Sequence, residues 1–335
     1  MKQKFFVLFS CILCILAGIL SSCASPRENE KRTVTGLYFD TVIQIEAWGT
    51  TETVLEHCLE ICADYENRFS NKIPGSEISK INAAAGAPVP VSKDTLDLIS
   101  KGLYYSQLSG GKFDITIAPL SDLWDFKDPE KKTIPDPASM EEACSHVDYK
   151  KVSVDRKSGT VTLLDPHARL DLGGIAKGYI ADRLKVYLKG EGVEHALINL
   201  GGNVLALGQT YDERPFRIGI RKPFDKKNTP IDTLEIDDCS VVTSGIDQRY
   251  FEAQGKIYHH ILNPMTGYPY ENDLLQVTIL SESSADGDAL STCCFALGLE
   301  KGSDLITSLE DVRAVFITKD YQLHVVGTPP KADSP

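Results

Sequence analysis

Basic residues are in short supply in this chain: lysine and arginine number 35 against 47 aspartates and glutamates, a formal charge of −12. With no basic patch along the sequence, a nucleic-acid partner is disfavoured, and the charge reads as solubility. Long apolar runs are lacking as well. The run at residues 5–20 is too short and wrongly flanked for a stable transmembrane span. No Gly-x-Gly-x-x-Gly turn follows a first strand, so a Rossmann-type dinucleotide fold is unsupported. Internal repeats are absent. The cysteines show no zinc-ribbon spacing, since Cys58 and Cys62 lie four apart and Cys293 and Cys294 are adjacent.

What is present begins with an address. Lys2 and Lys4 precede the apolar run, the pattern of a secretory signal. The run ends in Leu20-Ser21-Ser22-Cys23, which resembles a lipobox, with a cut before Cys23 and a diacylglyceryl group on its sulfur. Residues 1–22 are therefore expected to leave, taking two lysines and shifting the charge to −14. Residues 23–35 read as a polar, lipidated tether that holds the protein on the extracytoplasmic face of a membrane. Residues 36–328 form one large domain, and 329–335 a polar tail. Cys11 and Cys14 go with the signal, and the six cysteines after Cys23 read as buried thiols.

Apolar residues at Leu55, Cys58, Ile61, Cys62, Tyr65 and Phe69 keep a three-to-four spacing, which predicts a helix over 54–69. A second is expected over 94–108, capped at Ser92-Lys93-Asp94 and stopped by Ser109-Gly110-Gly111. Residues 123–152, with prolines at 129, 135 and 137, read as loop or insertion. A third helix is expected over 175–188, followed by strands at 196–200, 216–221, 240–243, 258–262 and 275–280. Helices over 285–298 and near 303–309 follow, then a hairpin of 313–318 with 322–326. Strands and helices without strict alternation imply an α+β fold of mixed and antiparallel sheets with packed helices.

Chemistry-bearing residues fall in four groups. In Arg169-Leu170-Asp171-Leu172-Gly173-Gly174-Ile175-Ala176-Lys177-Gly178-Tyr179 a strand end turns through glycines into a helix, where backbone amides can meet an anion. Asp171 could equally be a plain helix cap. Asn199-Leu200-Gly201-Gly202-Asn203 is a second glycine turn, common in any hairpin. The third group is Thr243-Ser244-Gly245 together with His259-His260 and the run to Pro269. Adjacent histidines on a strand face opposite sides, so at most one of them serves a given site. In the fourth, Asp288 and Thr292 stand four apart on one helix face, a carboxylate and a hydroxyl of the hard-oxygen kind magnesium prefers. Acidic residues at a helix N-terminus also arise simply to complement its dipole.

Taken in order, these groups, with Gly111-Lys112-Phe113-Asp114-Ile115-Thr116-Ile117-Ala118-Pro119-Leu120, Ser244-Gly245, the run from His260 to Pro269 and Asp288-Ala289-Leu290-Ser291-Thr292, resemble the ApbE family of FAD:protein FMN transferases. The resemblance spans about residues 39–326. It implies an ApbE-like, T-fold-like domain with a flavin cleft, in which Phe39, Lys72, Lys112, Phe113, Asp114, Asp171, Lys177, Ser244, Gly245 and Leu262 stand at FAD-contacting positions. It further implies Mg²⁺ on Asp288, Thr292 and the carbonyl of Gly174, and His260 as the base that deprotonates the acceptor. The acceptor would be a threonine hydroxyl of an exported protein, the product a phosphoester-linked FMN, and AMP the leaving group. Many members carry a tyrosine where this chain has Asn71-Lys72. FAD hydrolysis to FMN and AMP, or lipid-anchored FAD binding without chemistry, are the rival readings.

Overall fold

The computed structural model describes residues 30–124, 126, 132–227 and 229–331. The expected signal at 1–22 and the lipidation at Cys23 lie outside the described residues.

The backbone of the molecule is an eight-stranded, wholly antiparallel sheet. β1 (Lys31–Tyr38) and β2 (Thr41–Trp48) open the chain as a hairpin. A small sheet of β3 (Val89–Pro90), β4 (Val152–Asp155) and β5 (Thr160–Leu163) comes next. β6 (Ala196–Leu200) and β7 (Asn203–Leu207) return to the main sheet, β8 (Phe216–Arg221) and β9 (Pro230–Ile236) form a separate ribbon, and β10 (Ser240–Gly245) re-enters. β11 (Tyr250–Ala253) and β12 (Lys256–His259) make a further hairpin before β13 (Leu274–Ser281), β14 (Arg313–Thr318) and β15 (Leu323–Gly327) complete the sheet. The spatial order is β1-β2-β6-β7-β10-β13-β14-β15.

Helices α1 (Glu52–Phe69), α2 (Glu77–Ala83), α3 (Lys93–Leu108), α6 (Ala176–Gly190) and α7 (Ser284–Thr307) cover one face, while the single turn α4 (Ala118–Ser121) and α5 (Pro137–Ser145) pack with the β11–β12 hairpin around Leu120, Met140 and Phe251. The main core lies between the covering helices and the sheet, where β2 presents Ile43, Ile45 and Ala47 inward while its alternate residues stay outside. On the opposite face the β8–β9 ribbon packs Phe216 and Ile236 against Ala206, Val241 and Leu280. Covered on both sides, β13 is buried along its whole length, its polar Gln276, Thr278 and Ser281 included.

The expected α+β class is what forms. Two boundaries differ. The segment read as tether to residue 35 is strand β1 from Lys31 onward, paired residue by residue with β2. As an edge strand it alternates between exposed and half-buried, so backbone hydrogen bonds define it and no apolar period marks it. Within the expected 123–152 loop, Asp136 caps α5 by accepting the Ser139 N–H, with Pro137 pre-set in the first turn. The two C-terminal helices expected at 285–298 and 303–309 do form, as the two parts of α7 separated at Gly298, whose φ of 79° no helix tolerates.

Candidate active site

A cleft of about 1440 Å³ opens at the ends of β6, β7 and β10, between the α6–α7 pair and the β11–β12 hairpin. Phe39, Lys72, Lys112, Phe113, Asp114, Asp171, Gly174, Lys177, Ser244, His260, Leu262, Asp288 and Thr292 all line it. Gly245 does not. It sits one residue behind Ser244, where a Cβ would come within 2.9 Å of Asp247 Oδ1.

The floor is built by bringing two of the sequence groups side by side. Ile117 bridges Arg169, and the Asp171 N–H donates to the Ile115 carbonyl at 2.8 Å. Asp171 then closes the turn into α6 by accepting the Gly173 N–H (2.9 Å) on Oδ1 and the Ser121 hydroxyl (3.1 Å) on Oδ2. Asp114 is buried, with Oδ1 accepting from Thr116 N–H and hydroxyl and Oδ2 from the Tyr149 N–H at 2.9 Å. Burial still raises its pKa above the ordinary carboxylate range against those bonds. Both its oxygens are thus committed to the loop, and the phenyl of Phe113 beside it packs on Gly174, where a Cβ would meet the ring at 2.9 Å.

Asp288 reaches the cleft through an exchange between two helices. Ile175, at the start of α6, offers no side-chain cap. Instead Asp288 of α7 accepts the Gly178 N–H on Oδ2 at 3.0 Å, satisfying one of the first-turn donors. In return Asp182 of α6 accepts the N–H groups of Ser284 (2.7 Å) and Ala285 (3.0 Å) and the Ser283 hydroxyl (2.9 Å) at the start of α7. The exchange requires near contact of the backbones. A Cβ on Gly178 would lie 2.1 Å from the Ser284 carbonyl oxygen. Neither Gly178 in this role nor Asp182 was identified from sequence. Their four-residue spacing on α6, opposite the Ser283–Asp286 start of α7, was the available signal.

The remaining oxygen, Asp288 Oδ1, has Lys177 Nζ at 3.8 Å, beyond a direct hydrogen bond. Lys177 Nζ itself donates to the Gly173 carbonyl at 3.0 Å. Thr292 Oγ1 lies 3.1 Å from Ser244 Oγ, which also contacts Ser291 Oγ at 2.7 Å, and Ser291 donates to the Asp288 carbonyl. Among the described residues no cluster of three or more His, Cys, Asp or Glu could hold a metal. One carboxylate oxygen free of hydrogen bonds, a threonine hydroxyl and nearby backbone carbonyls nevertheless form an oxygen set of the hard type that suits Mg²⁺ and lacks the nitrogen or sulfur donors zinc favours.

The histidine pair divides as strand alternation requires. His259 points into the core, its Nε2 on the Tyr270 carbonyl at 3.0 Å, its Nδ1 accepting the Ile261 N–H, and its ring edge-on to Phe295. Burial holds its pKa down to about 4. His260 lines the cleft, and its Nδ1 is buried without a partner. Burial first, then the charges of His259 and Arg249, push it down to about 3, so the imidazole is neutral at neutral pH.

Two expected positions have particular surroundings. Phe39 and Asp40 turn the β1–β2 hairpin with φ of 55° and 56°, a left-handed pair unusual for a phenylalanine, and the Phe39 N–H is held by Glu66 Oε1 at 2.6 Å. Lys72 lines the cleft with its ammonium paired to Asp122, which also takes Arg169 at 2.5 Å. Trp124, unassigned from sequence, anchors the loop after His260 by donating to the Gly267 carbonyl at 2.8 Å and stacks on Phe126, which lines the cleft with it. Cys58, Cys62, Cys293 and Cys294 are buried free thiols, consistent with their helical spacing.

A model of the ApbE family matches residues 39–316. An FAD:protein FMN transferase of Klebsiella pneumoniae is 37% identical over 297 residues, covering 88% of this chain and 92% of the relative. One from Treponema pallidum is 32% identical over 333 residues, covering 93% and 91%. Among solved structures, the ApbE protein of Thermotoga maritima superposes with a TM-score of 0.80 at 29% identity, covering 89% of this chain and 97% of that one.

Proposed function

The chain belongs to the ApbE family of flavin transferases, and from that premise we propose that it moves FMN from FAD onto a threonine of an exported acceptor protein. The observation that carries the reading is that His260 and the oxygens of Asp288 and Thr292 line one cleft from separate elements. Chemistry at a phosphorus atom needs that separation: proton acceptance on the side of attack, charge neutralisation along the diphosphate.

The acceptor hydroxyl attacks the FMN phosphorus. A new P–O bond forms as the phosphoanhydride bond to the adenylate breaks, AMP leaves with that electron pair, and His260 takes the hydroxyl proton. A neutral imidazole is the form that accepts a proton, and the arriving diphosphate, being anionic, raises its affinity for one. Asp288, Thr292 and the Gly174 carbonyl would hold Mg²⁺, whose charge would offset that of the diphosphate oxygens. Phe39 and Phe113 would pack on flavin or adenine, Leu262 would close the apolar side, and Lys112, Lys177 and Ser244 would meet polar edges. Lipidation at Cys23 would hold the enzyme on the extracytoplasmic face, within reach of exported redox proteins.

The test is incubation of the mature chain with FAD, Mg²⁺ and a candidate acceptor, followed by in-gel flavin fluorescence and AMP measurement. A fluorescent acceptor with AMP released one for one is expected. FMN and AMP without labelling would replace transfer by hydrolysis, and intact bound FAD would leave a carrier. Asp288→Ala is expected to abolish magnesium-dependent turnover, and full activity in that variant would remove the metal assignment.

A further inference from the structure

Four of the cleft's carboxylates, those of Glu66, Asp114, Asp122 and Asp171, are already engaged by the chain's own donors. Glu66 holds the Phe39 N–H, Asp114 its loop, Asp122 pairs with Lys72 and Arg169, and Asp171 caps its turn. Behind the lining, Asp247 takes Arg221 at 2.7 Å and the Phe224 N–H. The cleft cations Lys112, Arg217 and Arg249 have no acidic partner among the described residues, in a chain that is strongly acidic overall. One of the three stands in a singular place. The β11–β12 register pairs Tyr250 with His259, and the His260 N–H continues that ladder onto the Arg249 carbonyl at 3.1 Å. Arg249 and His260 are therefore directly opposed across the open end of the hairpin, and opposed residues in an antiparallel pair put their side chains on the same face, with Cβ atoms about 5 Å apart. Both line the cleft, while the next pair, Tyr250 and His259, turns away from it.

We propose that Arg249 is a phosphoryl-binding residue that grips the non-bridging oxygens of the FMN-side phosphate beside His260. The assignment rests on the reading of the cleft as an FAD site and adds which phosphate this residue recognises. A guanidinium presents a planar fork of donors that matches phosphate geometry, and an unpaired one next to the base sits where the attacked phosphorus must be. Because Arg249 is among the charges that keep His260 unprotonated in the free cleft, a phosphate bound between them would also relieve that repulsion.

The experiment compares wild type with Arg249→Gln and Arg249→Lys by flavin-fluorescence titration with FAD, FMN and riboflavin, and by competition with AMP. Arg249→Gln is expected to weaken FAD and FMN alike by about tenfold, the scale of a charge-assisted hydrogen bond, with riboflavin and AMP unchanged and Arg249→Lys recovering part of the loss. Riboflavin falling in parallel with FMN, AMP falling in place of FMN, or no change at all would each overturn the proposal. Thermal melting of the exposed-site variants checks that folding is intact. Wild-type protein that shows the FMN-against-riboflavin difference but labels no acceptor would sink the transfer reading and leave Arg249 standing.

Discussion

Gly178→Ala sets two physical effects against each other at one atom. Alanine is the better helix former, and in an unobstructed helix the change would add about 1 kcal/mol of stability. Here the new methyl would stand 2.1 Å from the Ser284 carbonyl oxygen, 2.5 Å from its carbon and 2.7 Å from Ala285 Cα, all backbone atoms that no rotamer change can move. Restoring ordinary contact near 3.4 Å requires α6 and α7 to part by about 1.3 Å. That displacement costs roughly 1–3 kcal/mol of overpacking strain, and stretches the 3.0 Å bond from Gly178 N–H to Asp288, a charge-assisted contact of roughly 1.5–3 kcal/mol. After subtracting the propensity gain, the net loss is roughly 2–5 kcal/mol, or roughly 3–8 °C in melting temperature for a domain of about 300 residues. Differential scanning calorimetry reads the first consequence. The second is a raised magnesium requirement in the FMN-transfer assay, since Asp288 moves with α7. A melting temperature equal to or above wild type would refute the packing argument outright, because propensity alone would then have decided the sign.

Two further outcomes follow from the site. His259 has a folded-state pKa near 4 against 6.5 in an unfolded chain, so the unfolded state binds its proton first. Its contribution is complete above about pH 6.5 and is lost as pH falls towards 4, by up to about 3 kcal/mol; urea midpoints measured between pH 7 and 4.5 should fall less steeply in His259→Gln than in wild type, and identical slopes would exclude this residue as the source. Phe39→Gly should leave the melting temperature level or raise it, since a left-handed φ of 55° costs a non-glycine residue about 1 kcal/mol or more, while weakening FAD binding several-fold in a fluorescence titration; a loss of stability without a loss of affinity would make Phe39 a structural residue only.

Legibility in the sequence followed periodicity. Strand alternation sufficed to separate His259 from His260, because a period of two leaves no other arrangement. Four-residue spacing put Asp288 and Thr292 on one helix face, and both line the cleft. What escaped depended on contacts between elements. The β1–β2 hairpin turns on Phe39-Asp40 without the Asn-Gly or Asp-Gly pair that advertises such a turn, so the turn carried no local marker although β2 alternates. Gly178 resembled one more turn glycine, and its real constraint, the Ser284 backbone, lies more than a hundred residues along the chain. Asp182 shares a helix face with Gly178, but the α7 start that it caps lies about a hundred residues further on. Arg249 is one of many arginines until the hairpin register sets it across from His260.

These missed residues share a task, which is to fix one wall of the cleft relative to the other. The Asp288 wall is set by reciprocal capping: α6 cannot slide along α7 without exposing the first-turn N–H groups of both helices. The His260 wall is a two-stranded hairpin, an element too small to hold its position alone. Strand β10 supplies what joins them. It is hydrogen-bonded on one side to β7 and on the other to β13, its Ser244 hydroxyl touches Ser291 and Thr292 of α7, and the chain leaving Gly245 runs within four residues to Arg249 and the hairpin. A cleft that must hold a diphosphate between a base and an oxygen cage tolerates little variation in its width. Placing both walls at the C-terminal end of one central strand, which stays paired to β13 through Gly245, meets that demand.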